Sequence, residues 1–281
     1  MKTRKLSVIA VVASLVLATL AGCSKKNEPV GTVTDACGNQ YNYVKIGNQY
    51  WLAENMRCNR YDTQSELAGA TVPVYTAPSE EELVYTPYYV DSSNRSLWST
   101  DQFAGNLSAD QVAKLGYLYN WGAAVGLETK SEVQEQAEAF SRSRQGICPN
   151  GWHIPTDAEW AALKNFIENT DGKGRNTAGK HLKTTSGWNE STKNDDIYAF
   201  GAFPSGRSTG SSVDAIGIES CYWTATPCPY TIIDLKDPLT GKVIAIINLN
   251  ANYFYLSKDA NLLYSNLQDK SHAKSVRCVK N

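Results

Sequence analysis

The alternation of apolar and polar positions predicts a β-hairpin near the start of the main part of the chain. The segments Gln40–Ile46 and Gln49–Leu52 are rich in aromatic and β-branched residues, which favour strands. Gly47 and Asn48 separate them, and both residue types readily take the positive φ values of a two-residue hairpin turn. We therefore expect two antiparallel strands joined by a tight turn.

The last third of the chain has the pattern of several short strands. The segment Asp237–Gly241 has the composition of a turn and is predicted to join two of them as a hairpin. The run from Ile244 to Leu249 is almost continuously apolar, which is typical of a central strand covered on both sides. The predicted strands are Tyr222–Ala225, Tyr230–Leu235, Val243–Leu249, Tyr253–Leu256 and Ser275–Val279.

A helix is predicted to begin at Thr156. The Thr156 hydroxyl can accept from the Glu159 amide while the Glu159 carboxylate reaches back to Thr156, which is a capping box. Trp160, Leu163 and Ile167 follow at spacings of three and four, so they share one buried face. The helix is expected to stop within 169–172.

Two shorter helices are predicted by the same start signal, with Ser108 before Gln111 and Ser131 before Gln134. His153 precedes the Thr156 helix, and no Ser or Cys nucleophile can be assigned to it. We interpret it as a hydrogen-bonded packing residue rather than a catalyst. A few helices among many short antiparallel strands indicate an α+β domain, not a doubly wound one.

The first residues have the pattern of an export signal. Three basic residues precede a charge-free run from Leu6 to Leu20, which is shorter than the roughly 20 residues of a membrane span. The sequence Leu20–Cys23 resembles a bacterial lipobox, which implies cleavage after Gly22 and diacylglycerol on the Cys23 sulfur; an ordinary signal peptide is the alternative. We divide the chain into a signal peptide (1–22), a lipidated tether (23–31) and one domain (32–281).

The charge balance restricts the partners of the chain. It carries 28 acidic and 27 basic side chains without a basic cluster, which argues against nucleic acid because phosphates require concentrated Lys and Arg. The 16 Tyr, 7 Trp and 6 Phe supply enough apolar area for a folded core.

Six cysteines follow Cys23, and an exported chain meets an oxidising compartment. Three disulfides are therefore expected, although the sequence alone does not select among the fifteen possible pairings. Zinc is the competing use, but no Cys-x-x-Cys pair or closely spaced Cys/His group is present, so we expect no metal. The disulfide candidates are Cys37, Cys58, Cys148, Cys221, Cys228 and Cys278.

Sequence motifs give no support for catalysis. The chain has no Gly-x-Ser-x-Gly elbow, no P-loop and no His-Glu-x-x-His motif. Acidic residues occur together at Asp195–Asp196 and Glu80–Glu82, but such runs in polar sequence are typical of solvated turns. We expect neither a catalytic residue nor a cofactor.

Several motifs together resemble the Fibrobacter succinogenes major paralogous domain, which is abundant in exported proteins of Bacteroidota and Fibrobacterota. The matching segments bracket nearly the whole mature chain. They are Thr34–Tyr41, Val44–Met56, Gly116–Trp121, Gly146–Trp160, Tyr222–Thr226 and Ser275–Lys280.

That family is similar to C-type-lectin-like domains and to formylglycine-generating enzymes, whose helix start resembles residues His153–Trp160. The resemblance implies a compact, loop-rich α+β fold and a disulfide between Cys148 and Cys278. It does not support calcium-dependent sugar binding, because no Glu-Pro-Asn or Gln-Pro-Asp triplet is present. A related copper oxidase would need paired thiolates, for which Cys221 and Cys228 are the local candidates, but the surrounding sequence does not match.

The remaining expectation is a non-catalytic envelope lipoprotein that binds a glycan or a protein. The segment Tyr61–Leu107 reads as a long loop, and its aromatic residues Tyr88, Tyr89 and Trp98 are candidates for ligand contact, because aromatic side chains dominate binding hot spots. A structural or fimbria-associated envelope subunit is the alternative. Ser24 after Cys23 resembles lipoproteins sent to the outer membrane, where the domain faces either the periplasm or the cell surface.

Overall fold

A computed structural model describes nine ranges of the chain: 26–62, 114–126, 144–189, 193–208, 213–227, 232–236, 238–241, 243–248 and 250–281. These residues form an α+β fold in which strands predominate, as the sequence pattern predicted. The strands are β1 (Gly31–Thr34), β2 (Gln40–Ile46), β3 (Gln49–Leu52), β4 (Tyr119–Asn120), β5 (Trp152–His153), β6 (Ser205–Ser208), β7 (Val213–Ile216), β8 (Glu219–Pro227), β9 (Ile232–Lys236), β10 (Val243–Asn248), β11 (Asn250–Ser257), β12 (Tyr264–Asp269), β13 (Ala273–Lys274) and β14 (Val279–Lys280).

The strands form three sheets within the described ranges. A five-stranded sheet has the order β1-β2-β3-β14-β5, and a larger sheet has the order β12-β11-β8-β6-β13-β4, with β7 paired to β6. The predicted hairpin is confirmed, since Ile46 pairs with Gln49 and Gly47 has a φ of 60°. The terminal strand predicted over Ser275–Val279 is not formed as one strand, because only Val279 belongs to a strand, β14, and the rest of the segment connects β13 to β14, which join different sheets.

The hairpin around the Asp237–Gly241 turn is also confirmed, because β9 and β10 pair in antiparallel register. The prediction that Ile244–Leu249 forms a central strand was wrong. Among the described strands, β10 pairs with β9 alone and the two make a separate sheet. A continuous apolar run does not specify how many strands lie beside it, which is why the pattern misled.

The helices are α1 (Trp121–Val125), α2 (Asp157–Asn165) and α3 (Ala178–Leu182). Thr156 and Glu159 make both hydrogen bonds of the predicted capping box at the start of α2. The helix continues as a π-helical turn, Phe166–Thr170, and ends at Asp171, inside the predicted stop. The helices predicted near Ser108 and Ser131 lie outside the described residues.

Two apolar clusters make up the core, and alternate residues of β8 contribute to each. Tyr222 joins one cluster with Trp160, while Trp223 joins the other with Trp121. In the first cluster the ring of Trp160 lies 5.4 Å from those of both Tyr222 and Phe254. The large sheet therefore separates the two clusters, since successive side chains of a strand point to opposite faces.

Arg277 is fully buried and ties the end of the chain to distant loops. Its guanidinium donates to the carbonyl oxygens of Leu52, Phe200 and Gly201 and to the side-chain oxygen of Asn55. Burial lowers the pKa of Arg277. These backbone acceptors and the Phe200 ring, 4.5 Å away, compensate the buried charge.

Candidate functional site

The sequence-predicted ligand contacts and the lipidation residue fall outside the described part of the chain. Tyr88, Tyr89 and Trp98 belong to the range 63–113, and Cys23 precedes residue 26. The prediction that these loop aromatics bind a ligand therefore stays a prediction.

Two disulfides are present in the described residues. Cys148 is bonded to Cys278, the pairing that the family resemblance implied, and their Cα atoms are 5.9 Å apart. Cys37 is bonded to Cys58. The first bridge joins the segment before α2 to the residue that precedes β14, and the second joins the turn between β1 and β2 to the residues after β3.

The expectation that Cys221 also forms a disulfide was wrong, because Cys221 is a buried free thiol. Its side chain is fully buried on strand β8, and the other four described cysteines are already bonded to one another. Cys228 itself lies outside the described residues.

Cys221 belongs to a buried group of polar side chains on one face of the large sheet. Burial raises the pKa of the Cys221 thiol to about 12, and its sulfur lies 3.6 Å from a carboxylate oxygen of Glu219. Lys274 is also fully buried, and burial lowers its pKa to about 8. The Lys274 ammonium lies 4.1 Å from the centre of the Tyr253 ring.

Three tyrosines extend from this buried group toward the edge of the same sheet. We call Tyr253, Tyr255 and Tyr264 the tyrosine row. The Tyr255 and Tyr264 rings stack across β11 and β12, with centroids 4.9 Å apart and planes inclined by 16°. Tyr253 is buried, whereas Tyr255 and Tyr264 are partly exposed. The row therefore presents two stacked rings at a sheet edge.

An ion-pair network lies beside the tyrosine row. The Arg207 guanidinium donates to Asp214 over 3.1 Å and to Glu219 over 2.8 Å. Burial raises the pKa of Tyr255, and the nearby Glu219 charge raises it further. Arg207, Asp214 and Glu219 thus place both donors and acceptors near stacked aromatic rings. This combination suits a ligand with apolar faces and several hydroxyl groups.

His153 lies in a second polar group, at the start of α2. Its two ring nitrogens contact Asn281, at 2.6 Å, and Glu159, at 2.8 Å. Burial disfavours the charged form, but the Glu159 carboxylate outweighs it and raises the pKa of His153. Both ring nitrogens of His153 have hydrogen-bond partners, and one of these partners, Glu159, also closes the capping box, which agrees with the predicted packing role.

The residues of one further group lie close enough to share a metal ion, namely Asp35, Cys37 and Cys58. The two cysteines are joined in a disulfide, so neither offers a thiolate. The Asp35 carboxylate accepts from the Cys37 and Asn39 amides and from the Tyr41 hydroxyl. These contacts fit a loop-closing role for Asp35 rather than a metal site.

Sequence reasoning missed the tyrosine row. Its signal was the alternation of Tyr253 and Tyr255, which places both rings on one face of a strand. Tyr264 was not assigned to any strand, and its pairing with Tyr255 depends on the register of β11 with β12.

Within the described ranges, no helix has both the length and the apolar character needed to cross a membrane. The fold and its bridges define a disulfide-linked α+β domain with short strands. The chain belongs to the Fibrobacter succinogenes major domain family, whose model matches residues 44–280. Comparison with curated proteins and with solved structures gives no match.

Proposed function

We propose that this protein is a non-catalytic, lipid-anchored binding module of the outer membrane that takes a glycan on the tyrosine row. The observation that carries the proposal is the stacked pair of Tyr255 and Tyr264 beside the ion pairs of Arg207. Aromatic rings provide flat apolar contact, and neighbouring charged groups provide directional hydrogen bonds.

The environment of Cys221 supports a role without catalysis. A thiol whose pKa is raised to about 12 stays protonated at neutral pH, whereas nucleophilic and copper-binding cysteines act as thiolates. The buried thiol therefore favours packing over the oxidase alternative.

A glycan array probed with the purified domain tests the proposal. We expect capture of a defined group of glycans by the wild-type domain and its loss in a double variant, Tyr255→Ala with Tyr264→Ala. Tyr117→Ala is the matched control, because Tyr117 is a partly buried tyrosine outside the row. The control should bind as the wild type does.

Two results would redirect the proposal. If replacing Tyr88, Tyr89 and Trp98 abolishes glycan capture while the Tyr255/Tyr264 variant retains it, the ligand binds the loop. If no glycan is captured and one envelope protein is recovered in stoichiometric amount, the structural-subunit alternative replaces glycan binding.

A further inference from the structure

The segment predicted as a tether is held against the domain from Lys26 onward. The Lys26 ammonium pairs with Asp196 at 3.2 Å. The Asn27 amide donates to the Ile197 carbonyl over 2.6 Å, and its side chain donates to the Lys45 carbonyl over 3.0 Å. The two Asn27 contacts join this segment to two separate parts of the fold, so the segment is fixed before β1 begins.

The distance from the fixed segment to Cys23 is short. Only Ser24 and Lys25 separate Cys23 from Lys26. Three residue steps span at most about 11 Å even when fully extended. If Cys23 carries lipid, as the proposed function requires, the membrane surface must lie close to Lys26.

The surface beside this segment has the chemistry of a membrane interface. We call Val30, Tyr43, Lys45, Tyr50 and Lys280 the tether face. The Lys280 ammonium lies 5.4 Å from the Tyr43 ring centre and 5.6 Å from that of Tyr50, and Lys45 lies 5.5 Å from Tyr50. Val30 is 54% exposed.

Tyrosine rings and long lysine side chains suit the boundary between lipid tails and headgroups, because each has an apolar body and a polar end. Lysine ammoniums near this boundary are attracted to anionic headgroups. The Val30 amide donates to the Tyr43 carbonyl over 2.9 Å, so the fixed segment and the tether face are continuous.

We propose that the tether face rests on the membrane and that the docked segment holds the domain in one orientation there. The lipid chains attach the protein to the membrane, and the short link through Ser24 and Lys25 limits how far the domain can move from the membrane surface. The tyrosine row belongs to the large sheet, whereas the tether face belongs to the five-stranded sheet. Membrane contact and glycan binding thus use different surfaces.

Amine footprinting of the mature lipoprotein tests this orientation. The protein is incorporated into vesicles of phosphatidylethanolamine and phosphatidylglycerol and treated with a membrane-impermeant acetylating reagent. Peptide mass spectrometry then compares it with the Cys23→Ser protein free in solution. We expect acetylation of Lys45 and Lys280 to slow several-fold in the anchored protein.

Lys164 is the internal reference, because it lies on α2, which packs against the opposite face of the five-stranded sheet through Trp160 and Trp51. Its acetylation rate should not change. A variant with about ten Gly and Ser residues inserted between Ser24 and Lys25 should regain fast labelling of Lys45 and Lys280, because the longer link lets the domain leave the surface.

The same spectra separate two kinds of failure. A Cys23 peptide without lipid would contradict the lipid anchor of the proposed function. The proposed orientation, which depends on that anchor, would then be wrong as well. A lipidated Cys23 together with unchanged labelling of Lys45 and Lys280 would overturn the orientation alone.

Discussion

Lys274 and Tyr253 form a cation–π contact inside the protein, with the ammonium 4.1 Å from the ring centre and no hydrogen-bond partner among the described residues. Burying an ammonium without a hydrogen-bond partner destabilises the fold, and a contact with one aromatic ring offsets only part of this cost. We expect Lys274→Met to raise the free energy of unfolding at pH 7 by about 1–3 kcal/mol, measured by urea denaturation.

The pH dependence of the stabilisation by Lys274→Met tests whether it arises from the buried charge. The pKa of Lys274 is about 8 in the folded protein and 10.5 ordinarily, so the unfolded state binds more protons between these values. The free energy of unfolding of the wild type therefore rises with pH across this window, because the buried Lys274 loses its charge in the folded protein. The advantage of Lys274→Met should shrink from pH 8 upward, and a constant advantage would contradict the assignment.

His153 and Glu159 should show linked titration. The raised pKa of His153 stabilises the fold fully below pH 6.5 and loses that effect as the pH rises through the folded value. Burial raises the pKa of Glu159, but the His153 and Thr156 hydrogen bonds outweigh it and leave it lowered. Its contribution is therefore present above pH 4.5 and is lost as the pH falls through the folded value.

Glu159→Gln tests this pair, because glutamine retains the capping geometry without the charge. The pKa of His153, followed by NMR, should fall relative to the wild type. His272, whose pKa burial lowers, is the control and should not move. An unchanged His153 titration would mean that Glu159 does not set its charge.

The two disulfides should differ in their effect on stability. Cys148 and Cys278 are 130 residues apart, and Cys37 and Cys58 are 21 apart. In the chain-entropy model, removing the longer bridge by paired Ala substitutions lowers the free energy of unfolding by about 5 kcal/mol and removing the shorter one by about 3 kcal/mol.

Urea denaturation gives both values, and a larger loss for the shorter bridge would contradict the ranking. Non-reducing peptide mapping should find both bridges intact. Cys221 should react with an alkylating reagent only after denaturant is added, since its side chain is fully buried.

Local signals predicted the elements of this fold better than its assembly. The Thr156–Glu159 capping box and the Gly47–Asn48 turn are specified by adjacent residues, so the sequence reveals them directly. The environment of Cys221 depends on which strands lie beside β8, and those strands come from distant parts of the chain. Export to an oxidising compartment suggested that every cysteine is paired. It did not indicate that the side chain of Cys221 is buried in the core without a partner cysteine.

The tyrosine row illustrates the same limit at the candidate site. Tyr253 and Tyr255 resemble core residues of any strand, and the sequence alone does not distinguish a covered face from a sheet edge. The partial exposure of Tyr264 follows from the position of β12 as the outermost of the described strands in its sheet. A binding surface that depends on which strands are neighbours in a sheet therefore cannot be recognised from a short sequence motif.

Lipidation of Cys23 is predicted from the lipobox resemblance. Mass spectrometry of the mature N-terminus should find acyl chains on Cys23, and Cys23→Ser should move the protein from the membrane to the soluble fraction. Several acyl chains are needed because one chain gives only marginal attachment. Tight membrane binding of Cys23→Ser would contradict this prediction.

Trp160 should contribute strongly to the stability of the core, because its ring contacts aromatic residues from three parts of the chain. Its centroid lies 4.8 Å from Trp51, 5.4 Å from Phe254 and 6.0 Å from Phe200. Trp160→Ala should lower the free energy of unfolding by about 3–5 kcal/mol, measured by urea denaturation, because it leaves a cavity that the neighbouring rings cannot fill. Leu239→Ala is the control, since Leu239 is 94% exposed, and should change stability by no more than about 0.5 kcal/mol. Equal effects of the two substitutions would mean that Trp160 does not hold the core together.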